Sequence, residues 1–116
     1  MSDEERMQGM VKYKERISYE SLIMELLRDL ARLLGNVGKY TDDVDVGLAC
    51  ERAMVLYNTL VPELRRELDD VMRDVDRAET RGETYRALLK FYRAVIDVLH
   101  KHDMLLRERE FYVGEG

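Results

Sequence analysis

The chain has 116 residues, a formal net charge of −5 and a pI near 5.1. Hydrophobic residues make up 46% and charged residues 37% of it, which is typical of a globular domain and excludes a disordered chain. The acidic balance argues against non-specific nucleic-acid binding and leaves room only for a local basic patch.

The cysteine content and the hydropathy of the chain indicate its cellular location and the kinds of site that it can form. The single cysteine, Cys50, excludes an internal disulfide and a cysteine-based metal cluster. The acidic N-terminus lacks an apolar signal region, and no stretch approaches the ~18 apolar residues of a membrane span. We therefore expect a soluble, cytoplasmic protein with no cofactor, no metal and no membrane contact. Few thermolabile side-chain amides and many ion-pairing charges are found in heat-adapted proteins.

The low number of helix-breaking residues and the absence of strand-like alternation predict an all-α fold. One proline and seven glycines interrupt it, and no run alternates apolar and polar residues at period two. We expect an up-and-down four-helix bundle within 18–110, with helices at about 18–34, 43–58, 60–80 and 83–110. Residues 1–17 form an N-terminal helical extension or an arm, and 111–116 a short C-terminal tail.

The first segment opens on a capping box, Ser2 with Glu5. Its apolar stripe is narrow before Ser21 and wide after it, which predicts that the second half lies in the core. Two interpretations stay open: one long helix, or a separate arm that ends where Ser18 or Ser21 caps a new helix. The stripe comprises Met10, Tyr13, Ile17, Met24, Leu27, Ala31 and Leu34, joined after Ser21 by Ile23, Leu26, Leu30 and Leu33.

Glycine, aspartate and proline mark the next boundaries. Gly35 suits the left-handed residue after a helix, and the aspartates 42, 43 and 45 favour the start of a second helix. Pro62 fits the first turn of a third helix, with Thr59 as its cap; one helix kinked at Pro62 is the alternative. The second helix carries small Ala49 and Ala53 on its apolar face. The third has a narrow seam of Leu64, Leu68, Val71, Val75 and Ala78.

The last helix, Glu83 to Glu110, is the longest. Its apolar side chains recur every three or four residues, which keeps one stripe toward a partner along its length. Thr80 and Glu83 form a second capping box before it. The stripe comprises Tyr85, Leu88, Tyr92, Val95, Leu99 and Leu106.

Acidic and histidine-containing patterns do not predict a metal site. Counted from Asp43, a calcium loop would need glycine at its sixth position, where Leu48 stands. Di-metal helical bundles use a Glu-x-x-His pair on each of two helices, whereas this chain has only Asp97 with His100. Helix capping and pairing of Asp97 with Arg93 or Lys101 account for these residues.

Arg93 and His100 stand seven residues apart, about two helical turns, so both point the same way. Histidine can transfer protons near neutral pH, and arginine can stabilise charge on a phosphate. Arginine, six residues and then histidine resembles the Arg-x4–6-His motif of HEPN-type ribonucleases. The resemblance covers eight residues. It implies a dimer in which Arg93 and His100 meet their symmetry mates at a metal-independent RNA-cleaving site.

Apolar residues at the two ends of the chain favour an interaction role. Methionine and tyrosine suit contact surfaces, and a compact bundle of this size need not bury them. The predicted interface residues are Met10, Tyr13, Ile17, Tyr92, Phe111 and Tyr112.

These patterns rank three functions. We expect a small non-enzymatic interaction or scaffold module that forms a homodimer and binds a protein partner. The first alternative is the ribonuclease of Arg93 and His100. The second is a nucleic-acid-associated regulator that uses the one locally basic stretch, Lys12, Lys14 and Arg16, although the acidic balance makes nucleic acid an unlikely partner.

Overall fold

The computed structural model describes residues 19–35, 39 and 41–102. These residues form helices and loops with no strand among them, so the predicted all-α class is confirmed. The described helices are α1 (19–33), α2 (Val46–Thr59), α3 (Pro62–Arg66), α4 (Asp69–Arg77) and α5 (Arg81–Lys101). The predictions for 1–18 and 103–116 lie outside the described residues.

Gly35, Asp45 and Thr80 lie at helix ends as predicted, whereas α2 begins at Val46, three residues after the predicted start at 43. Gly35 follows α1 with φ of +69°, the left-handed conformation that glycine adopts without strain. The Asp45 carboxylate accepts from the backbone N–H of Leu48 at 2.9 Å, and α2 begins at the next residue. The hydroxyl of Thr80 accepts from the N–H of Glu83 at 3.1 Å, so α5 begins at Arg81, two residues earlier than predicted.

Pro62 separates two helices and does not kink one. It occupies the first position of α3, where its missing N–H costs nothing. The predicted capping role of Thr59 is wrong. Its hydroxyl instead donates to the carbonyl of Val55 at 2.7 Å, inside α2, while Val61 precedes Pro62 with extended backbone and no side-chain cap.

The single third helix predicted over 60–80 is also wrong, because the chain turns between α3 and α4. The N–H groups of Glu67 and Leu68 bond to carbonyls three residues back, which tightens the backbone beyond an α-helix. Leu68 is fully buried at this turn. Beyond the turn Met72 takes the buried position predicted for Val71, which is only half-buried.

Helix α5 forms the centre of the core and packs against α2 and α4. Phe91, Leu88 and Val95 are fully buried on it. Its apolar face is wider than the predicted stripe because alanine, leucine, phenylalanine and valine side chains beside that stripe are also buried. The buried set on α5 comprises Tyr85, Ala87, Leu88, Leu89, Phe91, Val95, Val98 and Leu99.

Hydrogen bonds and ion pairs between the helices show which helix ends lie at the same end of the structure. The hydroxyl of Tyr19, at the start of described α1, accepts from the N–H of Val61 at 3.0 Å. At the far end the hydroxyl of Tyr85 donates to the carbonyl of Lys39 at 2.8 Å. The last turn of α5 returns to the α3–α4 turn, where it contacts Glu67. The start of described α1 and the end of described α5 therefore lie toward the same end as Val61.

Candidate interaction surface

Four large apolar side chains are exposed among the described residues. Leu22, Val55 and Val61 are each 44% exposed, and Met54 is 42% exposed. Single exposed apolar residues are ordinary, whereas a group of neighbours marks a contact surface. Whether these four residues form one surface depends on how their helices lie against each other.

Two contacts bracket the groove where α1 runs beside α2. At one end the Tyr19 hydroxyl accepts a hydrogen bond from the N–H of Val61. Further along, the guanidinium of Arg52 forms an ion pair with the carboxylate of Asp29 at 3.2 Å. Asp29 stands ten residues after Tyr19, and Val61 stands nine residues after Arg52, so the two contacts are about equally spaced on both segments and α1 and α2 run antiparallel. Residues three or four apart on a helix share a side.

This register places three of the exposed side chains at one groove. Leu22 lies on the same side of α1 as Tyr19, three residues away, and Val55 lies on the same side of α2 as Arg52. Val61 is itself the partner of Tyr19. Half-buried Leu26 continues the row on α1. We call Leu22, Leu26, Val55 and Val61 the seam surface.

Met54 lies on another side of α2, about 100° around the helix from Val55 and toward α4. On that side the Tyr57 hydroxyl donates to the Asp69 carboxylate at 2.5 Å, and this bond, with burial, raises the pKa of Tyr57. Half-buried Cys50 faces the same way, since burial and then the charge of Asp76 on α4 raise the pKa of its thiol. Met54 therefore resembles Val55 in helix and exposure but not in location.

Polar side chains border the seam surface at one end. Asp29 accepts from Arg32 at 2.9 Å as well as from Arg52, which forms a small charged group beside the apolar row. Apolar side chains with a charged edge are typical of protein–protein contact surfaces. The four side chains of the seam surface carry no nucleophile and no titratable group.

The predicted interface residues are mostly outside the described residues. Only Tyr92 is described; it is half-buried and packs against the core. The other five predicted interface residues and the basic stretch of Lys12, Lys14 and Arg16 all fall within 1–18 or 103–116. The seam surface was not predicted, because Leu22 and Val55 stand outside the main apolar rows of their helices. Only the antiparallel register brings them together.

Arg93 and His100 are both exposed on α5, at positions two turns apart. Neither takes part in an ion pair between described residues. The expected pairing of Asp97 with Arg93 or Lys101 is wrong within the described part of the chain. Lys101 instead contacts Glu67 at 2.5 Å.

Glu67 joins the α3–α4 turn to the end of α5. One carboxylate oxygen contacts Lys101, and the other contacts Nε2 of His102 at 2.7 Å. These hydrogen bonds, that from Lys101 first, lower the pKa of Glu67 below its ordinary 4.5. A carboxylate with a lower pKa in the folded state stabilises the fold above its unfolded pKa. That stabilisation disappears as the pH falls through the folded pKa.

Glu67→Gln is therefore expected to lower the Tm at pH 7, and the deficit against wild type should shrink as the pH falls below 4.5. Thermal melts monitored by circular dichroism across this range measure it. Glu63→Gln is the matched control, since Glu63 is exposed nearby and forms no ion pair with another described residue. A Glu67→Gln deficit that stayed constant with pH would contradict the assignment.

Comparison with protein-family models, curated proteins and solved structures found no match. Within the described residues no cluster of three or more metal-binding side chains occurs, and no helix is long and apolar enough to cross a bilayer. The seam surface can bury apolar area against another surface. Its chemistry suits association.

Proposed function

We propose that this chain is a non-enzymatic protein-interaction module of the cytoplasm that self-associates as a homodimer through the seam surface. In this proposal α1, α2, the α3–α4 pair and α5 make an up-and-down four-helix bundle. The bundle serves as a rigid support, and the seam surface on α1, α2 and the α2–α3 connection is the contact face. The protein then acts as a scaffold that pairs two copies and presents them to a protein partner.

The observation that carries the proposal is the grouping of exposed apolar side chains. Three of the four large exposed apolar residues in the described chain, Leu22, Val55 and Val61, fall on the α1–α2 side when the helix register is read from the Tyr19–Val61 and Asp29–Arg52 contacts. Removing apolar surface from water stabilises an association by roughly 25 cal/mol per Å². A second copy offers the same apolar row, so a two-fold contact buries both rows at once.

The positions of the two chain ends support a second copy of the chain as the partner that covers the seam surface. Residues 1–18 continue from Tyr19 and residues 103–116 from His102, at the end of the bundle where Val61 lies. Both segments carry predicted interface residues, Met10, Tyr13 and Ile17 in the first and Phe111 and Tyr112 in the second. In the proposal these five residues belong to the same contact as the seam surface.

Val55→Asp is expected to weaken self-association by about tenfold or more, because it places a charge from each copy in an apolar contact. Sedimentation velocity over a range of concentrations measures the dissociation constant. Met54→Asp makes the same chemical change at similar exposure on another side of α2, and it should associate like wild type. Equal dissociation constants for both variants and wild type would contradict the seam surface as the contact.

The ribonuclease alternative is distinguished from the interaction module by an RNA-cleavage assay. It predicts RNA cleavage that persists in the presence of a chelator and disappears in His100→Ala, whereas the interaction module predicts no cleavage. The exposure of Arg93 and His100 on one side of α5 is compatible with contact to RNA. The regulator that uses Lys12, Lys14 and Arg16 predicts nucleic-acid binding that is lost when those three residues are replaced.

A further inference from the structure

The exposed side of α5 carries a row of cations. Arg86, Lys90 and Arg93 are all exposed and stand four and three residues apart, so they share one side of the helix. At 1.5 Å per residue the row is about 10 Å long. No acidic residue shares that side between Arg86 and Arg93.

A fourth cation faces this row across the groove between α4 and α5. Arg77, at the end of α4, lines the same depression of about 310 Å³ as Arg86 and Lys90. Two acidic residues, Asp74 and Glu83, also line it. The Glu83 carboxylate accepts from the N–H of Glu79 at 3.2 Å and keeps its negative charge, so the depression has three cations against two carboxylates.

Some cations of the described residues contact a carboxylate, and others, including Arg28 and Arg66, do not. Arg32, Arg52, Arg73 and Lys101 each contact a carboxylate. In the part of the chain that the structure describes, the side chains of Arg77, Arg86, Lys90 and Arg93 form no ion pair. Asp97, one turn beyond Arg93, is the acidic residue that ends the row. The four guanidinium and ammonium groups are therefore available to an external anion.

The chemistry of this surface favours phosphates over a protein partner. Protein contact surfaces have an apolar or aromatic centre, and no large apolar side chain is exposed on described α5. Arginine and lysine without such a centre are the residues that contact nucleic-acid phosphates. Three of the four are arginines, whose planar guanidinium can bind a phosphate through two hydrogen bonds.

We infer that Arg77, Arg86, Lys90 and Arg93 form a binding surface for the phosphate backbone of a nucleic acid. Contacts to phosphates alone read no sequence, so binding is independent of base identity. The net charge of −5 repels the ligand elsewhere on the chain, which confines binding to this surface and to low salt. This surface is distinct from the seam surface and does not depend on self-association.

The test is fluorescence anisotropy of a labelled 20-nucleotide oligothymidylate, which the ribonuclease alternative would not cleave. Wild type should bind at low salt, and the slope of log affinity against log salt should be roughly −2 to −3 for three or four phosphate contacts. Arg86→Glu and Lys90→Glu should each weaken binding by about tenfold and reduce the slope by about one.

Arg28→Glu is the matched control, because it makes the same change of net charge at an exposed position on α1. It should bind within about twofold of wild type. Circular dichroism establishes that each variant folds. The inference is overturned if wild type does not bind at low salt, or if Arg28→Glu loses as much affinity as Arg86→Glu. Competition by polyglutamate as effective as that by unlabelled oligothymidylate would also overturn it.

Discussion

Phe91→Ala is expected to lower the free energy of unfolding by about 3–5 kcal/mol, the largest effect of any single truncation proposed for this chain. Phe91 is fully buried on α5, the helix that packs against both α2 and α4. Truncation removes apolar contacts and leaves a cavity that the neighbouring helices can close only in part. Urea denaturation monitored by circular dichroism measures the loss.

Met54→Ala is the control for this truncation. Met54 is 42% exposed on α2, so shortening it removes little buried surface, and the expected change is within about 0.5 kcal/mol. If Phe91→Ala and Met54→Ala lost similar stability, α5 would not be the centre of the core.

The second large effect is expected from overpacking. Ala53 is fully buried on the side of α2 that faces the core, where its small side chain lets α2 approach α5 closely. Ala53→Leu adds three carbon atoms at a fully buried position, which should lower the free energy of unfolding by about 1–3 kcal/mol. Denaturation by urea again measures it.

Met54→Leu tests whether the cost in Ala53→Leu comes from the packing and not from leucine itself. It places leucine at the next position of the same helix, where the side chain is exposed, and should leave stability nearly unchanged. An Ala53→Leu variant as stable as wild type would show that α2 lies further from α5 than the structure places it.

Local signals predicted much of the fold. Gly35, Asp45, Pro62 and Thr80 mark boundaries because each satisfies or removes a backbone group at a helix end, and a short stretch of sequence contains that information. The break at Glu67 and Leu68 was not predictable in this way. Neither glycine nor proline marks it, and it is tied to the burial of Leu68 against other helices.

The two candidate surfaces could also be predicted only in part, because each depends on how two helices pack. The spacing of Arg86, Lys90 and Arg93 is visible on one helix, but the contribution of Arg77 depends on how α4 lies against α5. Leu22 and Val55 are 33 residues apart, and only the antiparallel register of α1 and α2 places them on the same side of the helix pair. Periodicity along one helix identifies the buried stripe, while an exposed contact surface arises between helices.

The measurement that tests the central proposal most directly is the solution mass of the wild-type protein, determined by light scattering across a dilution series. Self-association through the seam surface predicts a mass near twice the 13.7 kDa of the chain at high concentration. On dilution the mass should fall toward that of one chain, because a non-covalent dimer dissociates by mass action. A mass of 13.7 kDa at every concentration would contradict the proposed homodimer.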